Sequence, residues 1–355
     1  MSYLDEIDDP RKPSNGTLHD FREILVILIA AVLSDCDTVE DITFWARTKE
    51  AWLRRFLVLK NGIPSEETFL RILRALDPKQ FENMFRRWVG GVVGALSDDA
   101  GLAGTIAIDG KTVRGSGTGG ESAIHMVSAF ATELGLVLGQ EKVAAKSNEI
   151  TAIPELLEAL SIKGLLVTID AMGCQRGIAR TVRDKKADYV LALKGNQGSL
   201  HTDVELFVSE QKARDFTDTR ITRDTTVDGD HGRIETRTTT VIHDVEWLQE
   251  RHDWPGLEAV VMVESSRETN GKIEYETRLY LTSLIMVASL MGPVVRSHWA
   301  IENSLHWVMD MVFRDDECRV RTDHAPANFT TIKHMAHNLL RTAGGKDSLR
   351  LRRKV

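Results

Sequence analysis

Ile106-Ala107-Ile108-Asp109-Gly110-Lys111 and Leu166-Val167-Thr168-Ile169-Asp170 are two short aliphatic runs, each closed by an aspartate with a glycine soon after it. Runs of this length, rich in β-branched residues and bounded by glycine, read as strands. The same pattern predicts strands at 105–108, 123–130, 135–139, 165–169 and 189–193, with helical stretches at 149–160 and 175–186. Three consecutive strands joined by short turns pair antiparallel, whereas helical crossovers make neighbours parallel. The fold class is therefore α/β with a mixed sheet.

Before this block, residues 18–98 read as helices. Ser65 is placed to cap one of them, with Glu66 and Glu67 in its first turn. Asp77-Pro78-Lys79-Gln80 opens the next, with the proline where a helix tolerates it and Gln80 where a capping box needs it. Phe81, Phe85, Trp88 and Val89 then form a stripe expected to be buried. These features define a helical N-terminal domain over 1–100 and an α/β domain over 101–342. Within the latter, residues 215–282 are rich in Thr, Val, Ile and Arg and read as a β-rich insertion, including 220–242 and 258–264. Helix is expected again after Gly292-Pro293 to about Phe313, and 343–355 as a mobile basic tail.

The bulk numbers exclude several classes. Cys36, Cys174 and Cys318 lie far apart with no CxxC pair, which argues against a disulfide framework or a cysteine zinc site and suits a reducing cytoplasm. The apolar run 24–33 is too short to span a bilayer, and the acidic start (Asp5, Glu6, Asp8, Asp9) is unlike a signal peptide. The expectation is a cytoplasmic protein with no membrane partner. A formal charge of −7 disfavours nucleic-acid binding on average, although the C-terminal end is locally basic.

Asp109 and Asp170 each close a strand, where a lone aspartate is commonly a turn residue. Two such acids in one sheet point instead to a site, because a carboxylate is costly to bury unless it is paired or holds a metal. A third acid lies in Arg296-Ser297-His298-Trp299-Ala300-Ile301-Glu302-Asn303-Ser304-Leu305-His306-Trp307. On a regular helix His298, Glu302 and His306 share one face, which is either a solvated polar stripe or part of a site. The spacing is not the zinc-hydrolase His-Glu-x-x-His, and carboxylate oxygens suit Mg2+ or Mn2+ better than zinc. Asp109, Asp170 and Glu302 held together would repel one another. Two divalent ions relieve that repulsion and clamp the attacking and leaving oxygens of a phosphoryl displacement.

Taken in order, several motifs resemble the H-repeat-associated DDE transposases of bacterial insertion sequences. They are Ile108-Asp109-Gly110-Lys111, the turn from Asp170 to Gln175, Leu193-Lys194-Gly195-Asn196-Gln197, His231-Gly232-Arg233-Ile234-Glu235, and the stretch 296–316. The segment from Gly62 to Phe69 resembles that family's associated helical domain, and the likeness runs over about 15–342. The resemblance implies an RNase H-like core in which the first and fourth strands are neighbours and Glu302 returns on a helix after the β-rich insertion. It implies a transposase that cleaves double-stranded DNA at transposon ends and transfers the strand into a target, working as a dimer on DNA. A metal-dependent nuclease without strand transfer, or a decayed or domesticated DNA-binding copy, are the alternatives. The resemblance implies DNA contacts from Lys111, Arg114, Lys194, Asn196, Gln197, His231, Arg233, Arg296 and His298. Where related enzymes carry a Tyr, an Arg and a Lys around the glutamate, this chain has Val295, His298 and Met309, so handling of the flanking strand is expected to differ. The family's longer basic C-terminal end is expected to be shortened here.

Overall fold

Alternation along the strands sorts the side chains onto two faces. The computed structural model describes residues 2–13, 17–96, 104–117, 122–144, 147–230 and 233–354. In β1 (Thr105–Thr112), Ile106 and Ile108 enter one buried cluster and Ala107 another. β2 (His125–Ala131) and β3 (Leu136–Lys142) follow as an antiparallel meander, and β4 (Leu166–Ile169) returns parallel to β1, with Ile108 opposite Ile169. β5 (Asp188–Leu193) is parallel to β4. The crossovers are α6 (Glu149–Ala159) and α7 (Arg176–Asp184), both packed on the face of Ile106, Ile108, Val167 and Ile169.

The segment expected as an insertion does not form a separate β unit. Its four strands, β6 (Ile221–Asp230), β7 (Arg233–Ile242), β8 (Ala259–Thr269) and β9 (Lys272–Thr282), continue the same sheet. β9 pairs antiparallel with β5 (Leu191 opposite Leu281), giving nine strands in the order 3-2-1-4-5-9-8-7-6. The far halves of these strands, where Thr, Arg and Glu predominate, are largely exposed. Two helices in this region gave no reading in sequence. α8 (Ser199–Ala213) buries only Leu200, Val204 and Val208, one residue per turn, and α9 (Glu246–His252) is short.

On the opposite face lie the N-terminal helices, α1 (Phe21–Leu33), α2 (Val39–Thr48), α3 (Glu50–Leu53), α4 (Glu66–Ala75) and α5 (Pro78–Leu96). Ser65 caps α4 through the N–H of Thr68, Asp77 accepts from the N–H of Lys79, and Phe81, Phe85 and Val89 are buried. These helices share one continuous core with Ala107, Phe130, Leu136 and Val137 of the sheet. No described helix is long and apolar enough to cross a membrane.

Three C-terminal helices complete that layer: α10 (Ala288–Ser297), α11 (Trp307–Met311) and α12 (Ala325–Thr342). α10 starts before Gly292-Pro293 rather than after it, with Pro293 inside the helix. Ala288, Met291 and Val295 pack against Leu166, Val190, Val241, Ala259 and Val261, and this contact overrides the proline signal. Between α10 and α11 the residues Glu302–His306 form a π-helical turn. The last residues are not a mobile tail. They form α13 (Leu349–Arg352), after which the buried Arg353 donates to the Val32 carbonyl and, at 2.6 Å, to Asp37, over the Phe313 ring.

α12 is buried along nearly its whole length. Asn338 closes part of the sheet edge like a strand, accepting from the Val137 N–H (2.9 Å) and donating to the Val137 carbonyl (2.8 Å). Beside it, burial pushes His337 down from 6.5 to about 4, with Arg341 acting the same way and Asn338 opposing. The unfolded chain therefore takes up this proton first as pH falls. The stability that depends on neutral His337 is complete above about 6.5 and is lost progressively toward pH 4, a total of about 3 kcal/mol. Urea unfolding at pH 7.5 and pH 5 should show a clear loss at pH 5, and His337→Gln should flatten that dependence. An unchanged slope in the variant would rule His337 out as the source.

Candidate functional site

Asp109 has the same strand parity as Ala107, and Asp170 the same as Leu166 and Thr168, so both are directed to the face that carries α10, the π turn and α11. Asp170 sits one residue beyond β4, and its Oδ1 accepts from the N–H groups of Met172 (3.0 Å) and Gly173 (3.3 Å), which fixes the turn. Asp109, Asp170 and Glu149 each offer a carboxylate oxygen, all within 4.8 Å of one another. Glu149 opens α6, capped by Asn148, and so arrives from the other face of the sheet. Glu302 completes no such group among the described residues. It lies exposed at the rim, where burial and the Asp170 charge raise its carboxyl while Arg278 acts against them.

Two histidines brace these acids. His125 Nε2 lies 2.6 Å from Glu149 Oε1, and His125 Nδ1 lies 2.9 Å from the Thr112 hydroxyl. His306 Nδ1 lies 3.5 Å from Asp109 Oδ2. His298 Nδ1 lies 3.0 Å from Thr168 Oγ1 and His298 lines the same cleft as Glu302, whereas His306, at the far end of the π turn, reaches Asp109. Burial raises Asp109 to about 7, and the charges of Asp170, Glu149 and Glu302 add to the rise against the Gly110 N–H. Two carboxylate charges within 4.8 Å of one another repel by roughly 3 kcal/mol or more at an effective dielectric of about 20. An all-oxygen cluster of this kind suits a hard divalent cation.

Beside the acids is a cleft of about 710 Å³ lined by Asp170, Lys194, Arg278, Tyr280, Trp299 and Glu302, among others. The Arg278 guanidinium lies 4.9 Å from the centre of the Trp299 ring.

The chain matches two family models, DDE_Tnp_1-associated over residues 1–89 and Transposase DDE domain over residues 101–339. The chain belongs to the DDE transposase family. The "Putative transposase YncI" of Escherichia coli O157:H7 is 39% identical to it over 96% of this chain and 87% of that protein. The "H repeat-associated putative transposase YhhI" of Escherichia coli K12 is 36% identical over 96% and 89%. A Xanthobacter autotrophicus protein named for the dhlA 3′ region is 44% identical over 79% of this chain and 93% of its own length. A cryo-EM structure of the piggyBac transposase synaptic complex with hairpin DNA superposes with a TM-score of 0.43 at 10% identity, covering 99% of this chain and 73% of that one, a likeness too loose to bear on the fold.

The other residues singled out in sequence occupy varied positions in this member of the family. Lys111 pairs with Asp310 and lies 4.0 Å from Asp316, which Arg114 also approaches at 3.6 Å. Arg233 pairs with Glu235, and Arg296 with Asp228. Asn196 donates to the Ala171 carbonyl at 2.7 Å, tying the turn after β5 to the turn after Asp170, and Gln197 ends that same turn. Lys194 is exposed at the cleft. His231 lies outside the described residues. Glu149, His125 and Arg278 escaped the sequence reading. Glu149 reads as an ordinary first-turn acid, and nothing local links it or His125 to Asp109.

Proposed function

We propose that this transposase cleaves and rejoins DNA by metal-dependent phosphoryl transfer, with Asp109, Asp170 and Glu302 as its catalytic carboxylates and Mg2+ or Mn2+ as cofactor. The observation that carries this reading is the placement of Asp109, within β1, beside Asp170, just past the end of the parallel strand β4, both facing the helical layer from which Glu302 approaches. Adjacency of β1 and β4, with Glu302 on a helix after the β-rich strands, supports an RNase H-like core. In the same reading, 1–100 is a helical domain and 101–342 the catalytic domain.

Bound between these acids, two divalent cations would supply charge neutralisation for the attacking and leaving oxygens of an in-line displacement. The chain's own residues do the rest. Asp170 is held by two backbone N–H groups, so its orientation costs no reorganisation when substrate arrives. Arg278 and Lys194 flank the cleft beside Asp170 and give a phosphate backbone positive partners there. His306 supports Asp109 from beneath.

The ion pairs of Lys111, Arg114, Arg233 and Arg296 mean that DNA phosphates must compete with, or share, these cations. Binding of duplex DNA should therefore weaken steeply with salt even though the chain has a formal charge of −7. The decisive experiment incubates duplexes carrying the element's terminal repeats with protein and Mg2+ or Mn2+, then maps nicks and joined products. Cleavage at the ends followed by joining is expected. DNA that is bound but neither cut nor joined with either cation would overturn the catalytic reading, and cutting without joining would reduce it to a nuclease.

A further inference from the structure

Two of the three acids in the tight cluster are those on which the proposed function rests, but the third is Glu149 and not Glu302. Glu149 approaches from α6, on one side of the sheet, and Glu302 from the π turn on the other. Asp109, within β1, and Asp170, just past β4, stand between the two. A carboxylate that merely faced solvent at a helix start would have no reason to be held so firmly. Glu149 accepts from His125 Nε2 at 2.6 Å, and the second ring nitrogen meets Thr112 Oγ1 at 2.9 Å. An ionised carboxylate only accepts hydrogen bonds, so Nε2 is the donor in that pair. Carboxylate ligands of metal sites are oriented by outer partners of this kind.

Gly110 supplies an independent observation. A Cβ built there would overlap both Glu149 Oε1 and His125 Nε2, although the Gly110 backbone lies in an ordinary strand. The glycine in Asp109-Gly110-Lys111 is thus a vacancy that Glu149 and His125 fill, which places the Glu149 carboxylate beside Asp109. Among the described residues, no Lys or Arg is paired with that carboxylate, whose ion-pair partner is the His125 ring.

We infer that Glu149 is a further metal ligand, which with Asp109 and Asp170 holds one divalent cation before DNA arrives, and that His125 is its positioning residue. Glu302 then serves the other cation position, on the cleft side. The inference rests on the proposed metal-dependent reading and assigns the acids within it.

The test titrates Mn2+ into the full-length protein without DNA and follows the free-ion EPR signal. Wild type should bind, Glu149→Gln should weaken the binding by at least about tenfold, and Glu302→Gln should change it by less than about twofold. Gly110→Ala, which displaces both Glu149 and His125 without touching a carboxylate, should weaken it in the same direction as Glu149→Gln. Thermal melting of each variant identifies any that fails to fold, and Gly110→Ala and Glu149→Gln answer independently. If Glu149→Gln and Gly110→Ala bind Mn2+ like wild type while Glu302→Gln does not, the assignment of Glu149 is overturned and the proposed function stands. If Asp109→Asn and Asp170→Asn also bind like wild type, the metal-dependent reading itself fails.

Discussion

Asp170→Asn is expected to lower divalent-metal-dependent cleavage of end-containing DNA by about a thousandfold or more while the protein stays folded and still binds DNA. The amide keeps the size of the acid and can still present an oxygen to the N–H groups of Met172 and Gly173. It loses the charge that a cation requires, and electrostatic stabilisation of this kind is commonly the largest single contribution to such a reaction. Binding should persist because it depends on phosphate contacts from other residues. Glu302→Gln should be similarly inactive, since its carboxylate faces Asp170 and Arg278 at the mouth of the cleft. His306→Gln is an informative comparison and not a neutral one. Its ring touches Asp109, so a partial loss is expected, smaller than that of either acid. Single-turnover cleavage and gel-shift binding on the same preparations check all three. A Glu302→Gln protein that cut at the wild-type rate would show that the wrong glutamate had been assigned to the reaction.

Lys333→Met should destabilise the fold by about 3–5 kcal/mol. Lys333 on α12 is almost wholly buried, and its Nζ donates to the equally buried Asp315 at 2.7 Å, with the Phe329 ring 5.0 Å away. Removing the ammonium leaves a carboxylate in the interior with no charge partner, which costs far more than the pair contributes. Replacing both, as Lys333→Met with Asp315→Leu, should recover much of the loss. Urea denaturation of the two single variants and the double variant measures this directly. A single-variant loss below about 1 kcal/mol would mean that Asp315 finds another partner or water. The pair also matters for the site, because Asp315 adjoins Asp316 and the segment whose acids engage Lys111 and Arg114.

Much of the architecture followed from local pattern. The apolar runs before Asp109 and Asp170 located β1 and β4, although β1 continues past Asp109 to Thr112, and the helical crossovers between strands required parallel neighbours. Strand parity orders the side chains within each strand, and the β1–β4 register, with Ile108 opposite Ile169, then puts Asp109 and Asp170 on the same face. The caps Ser65 and Asp77 and the stripe of Phe81, Phe85 and Val89 were equally local. Other features were decided only when distant segments met. Pairing of β9 with β5 turned an expected insertion into an extension of the sheet, because edge pairing depends on which strand finds a free edge. Packing of Ala288, Met291 and Val295 kept α10 helical through Pro293. A π turn between Glu302 and His306 replaced the regular helix on which His298, Glu302 and His306 were expected to align. Arg353 found its carboxylate partner in Asp37, on the far side of the chain, and with it the expected tail became a folded end. Glu149 is the clearest case. A glutamate opening a helix is unremarkable in sequence, and its carboxylate reaches Asp109 and Asp170 only because α6 crosses the sheet beneath a glycine that leaves the space open.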